Sequence, residues 1–290
     1  MDGPDQVVAV VTQPDRKRGR GRKKTPSPVK ELSLRYGIDL FQPERVKETS
    51  FVQTMKGLTP DLFVVVAFGQ ILPLSLLEVP RFGAINVHGS LLPSYRGAAP
   101  IAWAILRGEE KTGITTMLMD EGMDTGDILI QAEIPIDRED TGETLQKKLS
   151  FLGAQLLMET VERMKSGSLS PRPQDHSKAT YAPPLKKEDG RIDWKKKGEE
   201  INLQIRALNP WPAAFTHWER GLLKIYRGEV RPGTSPQAPG SILWVGSDFI
   251  EVATGDGSFL IKEVQPEGKR KMSARDFLSG HRVSIGTFFR

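Results

Sequence analysis

At 290 residues the chain can hold one large domain or two ordinary ones, and its 38% hydrophobic and 27% charged content is that of a globular protein. There is no cysteine, which excludes disulfides and thiol chemistry, and no apolar run nears the roughly 20 residues that cross a bilayer. The net charge of +5 is uneven: residues 16–24, "RKRGRGRKK", carry seven bases and no acid, the rest of 1–188 has 18 bases against 24 acids, and 189–290 has 16 against 12, so two basic regions suit a polyanionic partner.

The opening "MDGPDQVVAVV" has no basic n-region and no small-residue cleavage site, so a cytoplasmic protein off the membrane is expected. Residues 6–15 form a β-branched run closed by Pro14 and Asp15, a buried strand. After the basic loop, Ser27 as cap, Pro28 at the first turn and Gly37 as stop frame a helix. Residues 61–69, "DLFVVVAFG", and 83–88, "GAINVH", read as further buried strands with helical segments between them. Apolar strands alternating with helices imply a parallel α/β sheet covered on both faces. Residues 99–108 read as a helix begun by Pro100 and stopped by Gly108, 113–120 as a strand, and 127–136 as its continuation after a loop. Asp140 and Glu143 have capping-box spacing. The helix they open carries Leu145, Leu149, Leu152, Leu156 and Val161 on one stripe and ends near Gly167.

Residues 168–188 contain four prolines among polar side chains and read as a linker. One more helix follows at 199–208. Short strands with Gly-rich turns over 213–264 then suggest a small antiparallel barrel or sandwich, ended by a short helix capped by Ser273. The expected organisation is a catalytic α/β domain over 1–168, a linker over 169–188 and a C-terminal β domain over 189–290.

In open parallel sheets, ligands bind beyond the carboxyl ends of the strands. Three segments send polar groups there: Asn86 and His88 at one strand end, the loop "DEGMDTGD" with Asp124 at the next, and "AFGQILP" at a third. An amide can aim a donor at a developing oxyanion. An imidazole moves protons near neutral pH, and a nearby carboxylate orients it and favours its charged form. No Ser sits in a nucleophile elbow, so the nucleophile belongs to a substrate. Such a set suits transfer of an acyl-type carbon between two bound molecules. Singly, each part has a plainer reading: His88 as a structural hydrogen-bonder, Asn86 as a turn former, Asp124 as an Asx-turn residue, the basic loop as solvated. Gly19 and Gly21 make no dinucleotide fingerprint, since Lys24 stands where a third glycine belongs. The four histidines are far apart with no paired-ligand spacing, so no metal is expected.

Together the segments resemble the folate-dependent formyltransferase family, closely and in order along nearly the whole chain, and within it the branch acting on methionyl-tRNA. "INVHGSLLPSYRGAAPI" looks like the family signature and "MDEGMDTGDIL" its second active-site loop. "TQPDRKRGRGRKKTPSPVK" is similar to the branch's tRNA-binding loop. "GRIDW", "IRALNPWPAAF" and "VATGDG…LIKEVQPEGKRKMSARDFL" match its C-terminal domain. The resemblance implies a Rossmann-like formyltransferase fold followed by an OB-like barrel. It implies formyl transfer from 10-formyltetrahydrofolate, as co-substrate, to the α-amino group of methionyl initiator tRNA. It assigns Asn86, His88 and Asp124 to catalysis, and Ser90, Leu91, Leu92, Pro93, Phe68, Gly69, Gln70 and Ile71 to the folate. Arg16, Lys17, Arg18, Arg20, Arg22, Lys23, Lys24, Lys269, Arg270 and Lys271 fall to the tRNA, and a monomer is expected.

The family begins about 20 residues earlier, with a strand, a Gly-Thr-Pro loop and a helix. This chain opens in what corresponds to the second strand, so the catalytic domain reads as N-terminally truncated, and neighbouring strands are expected to lose ladder partners and expose apolar surface. Two alternatives stand beside the main reading. One is another 10-formyltetrahydrofolate-dependent formyltransferase or hydrolase. The other is a tRNA-binding protein whose catalysis is impaired.

Overall fold

The computed structural model describes residues 5–18, 23–219, 221–235 and 237–290. The helices start where local chemistry supplies partners for their first N–H groups. In α1 (Pro28–Arg35) the Ser27 side chain accepts from the Lys30 N–H, Pro28 needs no donor partner, and Gly37 leaves the helix at φ +65°. The long helix α5 (Gly142–Lys165) is opened by a capping box, though not at the expected positions. Thr141 accepts from the Thr144 N–H and Thr144 accepts from the Thr141 N–H, whereas the Glu143 N–H goes to the Asn209 carbonyl. Asp140 is spent elsewhere. It is nearly fully buried and accepts from the Asp137 N–H at 2.8 Å, the Thr144 hydroxyl at 2.9 Å and Lys148 Nζ at 2.8 Å. Burial pushes its carboxyl pKa up, but the hydrogen bonds from Lys148, Asp137 and Thr144 outweigh that and hold it below the ordinary value.

Packing divides the chain into two units that do not follow chain order. The first comprises Met1–His88, Ile114–Gln131 and Gln155–Ala179; the second comprises Gly89–Gly113, Ala132–Ala154 and Thr180–Arg290. In the first unit β1 (Val10–Val11) pairs with β4 (Leu40–Phe41) in parallel. The basic segment between them supplies the arms of an antiparallel hairpin, β2 (Arg16–Arg18) and β3 (Lys23–Thr25). Then come α2 (Thr49–Gly57), β5 (Phe63–Val65), α3 (Leu74–Leu77) and β6 (Ala84–His88), with β5 and β6 parallel. β6 also pairs with β8 (Lys111–Leu118), in antiparallel sense, and β9 (Ile128–Pro135) neighbours β8 in the same sheet. The sheet is therefore mixed, and β9 is a separate strand rather than an extension of β8. An apolar run marks a strand but not which way it points, so its composition could not reveal this. Val46, Phe51, Val52, Met55, Leu76 and Ala84 pack as the core of this unit. β1 and β5 lie in different sheets, and Val7, Val8, Val64 and Val66 are exposed.

The second unit contains β7 (Arg96–Gly97), α4 (Pro100–Leu106), β10 (Tyr181–Ala182), α6 (Gly198–Ala207) and a set of long antiparallel strands. These are β11 (Ala214–Trp218), β12 (Gly221–Pro232), β13 (Ile242–Val245), β14 (Ile250–Thr254) and β15 (Gly257–Pro266), in the order β11-β12-β15-β14-β13. β16 (Met272–Ser273) adds to β15, and α7 (Ala274–Gly280) follows with Ser273 as cap. The register of β12 on β15 shifts around Arg227, and Gly228 follows at the bend. A Cβ on Gly228 would collide with the Phe259 ring and the Leu260 carbonyl, so only glycine lets the strands close up there. The last residues close the sheet. His217 and Arg290 exchange both backbone hydrogen bonds on the β11 side, while Ile242 donates to Thr287 and accepts from Gly286 on the β13 side. Residues 286–290 thus bridge the first and last strands, and the sheet curls around Ile225, Ile250, Phe259, Ile261, Phe277 and Phe289. No helix among the described residues is long and apolar enough to cross a membrane.

Candidate active site

Strand β6 alternates, so Asn86 and His88 point to the same side of the sheet. β6 is held between β5, where Val65 lies opposite Asn86, and β8, where Met117 and Thr115 lie opposite Asn86 and His88. Asn86 thus has ladder partners on both flanks, and His88 on the β8 side. The loop from Asp120 to Asp127 brings the third group. Its ends are tied by the Leu118 N–H to the Asp127 carbonyl at 2.9 Å, and its turn is held by Asp120 Oδ1, which accepts from the Gly122 N–H at 3.0 Å and the Thr125 hydroxyl at 2.6 Å. A side chain on Gly122 would strike Thr125, and one on Gly126 would strike the Leu118 carbonyl, so the loop requires both glycines. Within it Asp124 adopts φ +54°, the left-handed conformation that among L residues Asn and Asp tolerate best.

This conformation turns the Asp124 carboxylate onto β6. Oδ1 accepts from Asn86 Nδ2 at 3.2 Å, and Oδ2 lies 3.6 Å from His88 Nδ1. The second distance is too long for a good hydrogen bond but well within ionic range. His88 is 6% exposed and Asp124 14%, so the pair interacts with little screening by water. The structure thus joins three residues that the sequence placed on two separate segments. Gln174 completes the group, and the sequence reading missed it. From within the Pro-rich stretch read as a linker, its side-chain Nε2 donates to the Asp124 carbonyl at 2.9 Å and to the Gly126 carbonyl at 2.7 Å, and the residue is buried. Nothing in the local pattern marks it. A glutamine among prolines has the look of loop composition.

The third strand-end segment follows β5. Ala67 and Gly69 both have positive φ. The Phe68 carbonyl accepts from Gln13 Nε2 at 2.9 Å, Gln70 Oε1 accepts from the Val46 N–H, and Ile71 is 82% exposed. Gln70 Nε2 is buried with no hydrogen-bond partner among the described residues, an unspent donor in this loop. A cleft of about 480 Å³ opens next to it along the chain, lined by Leu74, Leu77, Glu78, Met119, Asp120, Glu121 and Gly122; it does not include the Asn86, His88 and Asp124 side chains.

The stretch from Ser90 to Pro93 belongs to the second unit. Ser90 is fully buried with its hydroxyl donated to the Ser94 carbonyl at 2.6 Å, Leu92 is buried, and the Leu92–Pro93 bond is cis. Leu91 and Pro93 are half-buried, and the Pro93 carbonyl accepts from the Thr180 N–H. The next residue but one, Tyr95, sits at φ +60° and donates to Glu109; burial, then the hydrogen bond and charge of Glu109, push its hydroxyl pKa far above the ordinary value.

Of the expected RNA contacts, Arg20 and Arg22 lie outside the described residues. Arg16, Lys17, Arg18, Lys23 and Lys24 lie on the two hairpin arms, with Arg16 opposite Thr25 and Arg18 opposite Lys23. Lys269, Arg270 and Lys271 form the exposed turn before β16. Lys271 Nζ pairs with Glu263 at 2.9 Å and lies 4.8 Å from the Tyr226 ring centre, so part of its charge is already engaged. No group of three or more acidic or imidazole side chains able to hold a metal ion exists among the described residues.

Comparison with known proteins follows the same lines. The formyl transferase family matches residues 2–161, and the formyl transferase C-terminal domain matches residues 184–282. Methionyl-tRNA formyltransferase of Trichlorobacter lovleyi is 50% identical over 287 residues, 99% of this chain and 90% of that protein. The enzyme of the same name from Citrifermentans bemidjiense is 49% identical over 97% of this chain and 88% of its own length. Among solved structures, HypX from Aquifex aeolicus in complex with tetrahydrofolic acid superposes with a TM-score of 0.63 at 18% identity, over 89% of this chain and 47% of that one. WlaRD, a sugar 3N-formyl transferase, gives 0.61 at 21% identity over 83% and 82%. At such identities these two structures speak for the fold alone.

Proposed function

This chain belongs to the formyl transferase family, and from that premise we propose that it transfers the formyl group of 10-formyltetrahydrofolate to the α-amino group of methionyl initiator tRNA. The observation that carries the assignment of the reacting centre is the meeting of Asn86, His88 and Asp124 at one strand end. When a neutral amine attacks a formyl carbon, the carbonyl oxygen turns negative. Asn86 has two amide hydrogens; one goes to Asp124 and the second serves the oxyanion. His88, with Nδ1 toward Asp124, uses Nε2 to move the proton that the attacking nitrogen loses and the departing folate nitrogen gains. Asp124 orients the ring and balances its charge while the proton is held.

The residues after β5 fit a flat ring bearing hydrogen-bond acceptors. Gln70 Nε2 is a buried donor without a partner among the described residues, and Ile71 offers exposed apolar surface. Phe68, Gly69, Gln70 and Ile71, with Ser90, Leu91, Leu92 and Pro93, would hold the folate. The bound folate supplies the activated formyl carbon. The basic segment containing Arg16, Lys17, Arg18, Arg20, Arg22, Lys23 and Lys24, and the stretch Lys269, Arg270 and Lys271, hold the tRNA backbone. In chain order, 1–168 carries the chemistry, 169–188 connects and brings Gln174 to it, and 189–290 serves the RNA; the protein works as a cytoplasmic monomer. The test is formylation of charged initiator tRNA by His88→Ala beside the parent protein. Turnover falls by orders of magnitude with little change in tRNA affinity; unchanged turnover refutes the assignment.

A further inference from the structure

We infer that Gln174 is a positioning residue for this reaction, acting through Asp124; the inference rests on the site proposed above. Asp124 reaches Asn86 and His88 only because its backbone turns left-handed at φ +54°. That turn leaves two carbonyls, of Asp124 and Gly126, directed at one point. The Gln174 amide stands at that point and donates to both, at 2.9 and 2.7 Å. It is 5% exposed, so water is a poor substitute for either hydrogen bond.

Gln174 is itself held from both sides along the chain. Two residues before it, Arg172 exchanges both backbone hydrogen bonds with Ile128 at 2.8 and 2.9 Å, tying the segment to the strand that leaves the Asp124 loop. One residue after it, Asp175 caps a short 3-10 helix (His176–Lys178) by accepting from the Ser177 N–H. A rigid donor on a pinned segment, satisfying two carbonyls of a strained loop, is how a supporting residue fixes a reacting group. The Asp120 hydrogen bonds close the loop from inside; Gln174 fixes it from outside.

Gln174→Met keeps the length and shape of the side chain and removes both donors. The experiment measures kcat and KM for charged initiator tRNA and for 10-formyltetrahydrofolate, with thermal melting of each variant and rates referred to folded protein. The expected result is a drop in kcat of roughly 10- to 100-fold, the scale of a reacting group displaced by about an ångström, with both KM values within about threefold. Gln174→Glu, which turns an acceptor toward the two carbonyls, falls at least as far. In an Asp124→Asn background the Gln174→Met change costs less than in the parent protein, because the charge it positions is already gone. Unchanged kcat in both single variants, or an equal further drop in the Asp124→Asn background, overturns the inference. His88→Ala in the same assay separates the two claims. If it keeps full turnover, the site reading fails; if it loses turnover while Gln174→Met and Gln174→Glu keep it, only the positioning role fails.

Discussion

Asp124→Asn removes one charge while leaving the surrounding geometry in place, and its effect can be worked from the structure. Asn tolerates the left-handed conformation as well as Asp, so φ +54° costs the variant nothing extra. The amide oxygen that replaces the carboxylate can still accept from Asn86 Nδ2. What disappears is the negative charge 3.6 Å from His88 Nδ1. Two unit charges at that distance attract by about 5 kcal/mol at an effective dielectric of about 20. Asp124 retains 14% exposure, and residual solvation discounts this to about 2–3 kcal/mol. The loss falls on the step in which His88 carries the proton, so it appears in kcat. At 1.36 kcal/mol per decade this is a decrease of roughly 30- to 150-fold, with KM for the tRNA little altered. The assay is steady-state formylation of charged initiator tRNA over a range of tRNA concentrations. A kcat within threefold of the parent protein would show that the carboxylate does not act on His88 in the rate-limiting step, and the electrostatic argument would fall with it.

Two further outcomes follow from other parts of the molecule. The Asp140 carboxyl is held below its ordinary pKa of 3.8, so the stability it contributes is present above about pH 4 and is lost as pH falls through its folded-state value. Asp140→Asn is expected to destabilise by about 1–3 kcal/mol at neutral pH. Thermal melting of both proteins across pH should show the gap closing below about pH 4; a gap constant with pH would remove the charge from the explanation. Replacing Arg16, Lys17, Arg18, Lys23 and Lys24 together by Gln should weaken tRNA binding and flatten its salt dependence, the log–log slope falling by about 0.7–0.9 for each phosphate no longer neutralised. An unaltered slope in salt titrations would mean that the hairpin does not read phosphates.

The parts of the site that were legible in the sequence are those set by near neighbours. Asn86 and His88 two apart at the end of an apolar run fall on one face of a strand, because side chains alternate with a period of two. Asp124 among glycines announces a tight loop, and the structure adds the left-handed turn that this composition permits. Gln174 was illegible because its partners lie about 50 residues away and it makes both hydrogen bonds through a side chain common in any surface loop. The capping box was misplaced by one residue for a related reason. Spacing offered Asp140 with Glu143, but Asp140 had a stronger partner in Lys148, which left Thr141 and Thr144 to cap the helix.

The alternation of side chains along β6, the cap and stop of α1 and the tight loop around Asp124 were determined by the sequence itself, since each depends on the order of a few adjacent side chains. Folding in three dimensions decided the direction of β8 against β6, the closure of the second sheet by residues 286–290, and the meeting of Asn86, His88, Asp124 and Gln174. These depend on which distant segments are brought within hydrogen-bond reach. Periodicity tells a side chain which face to take; it does not tell it whom it will meet there.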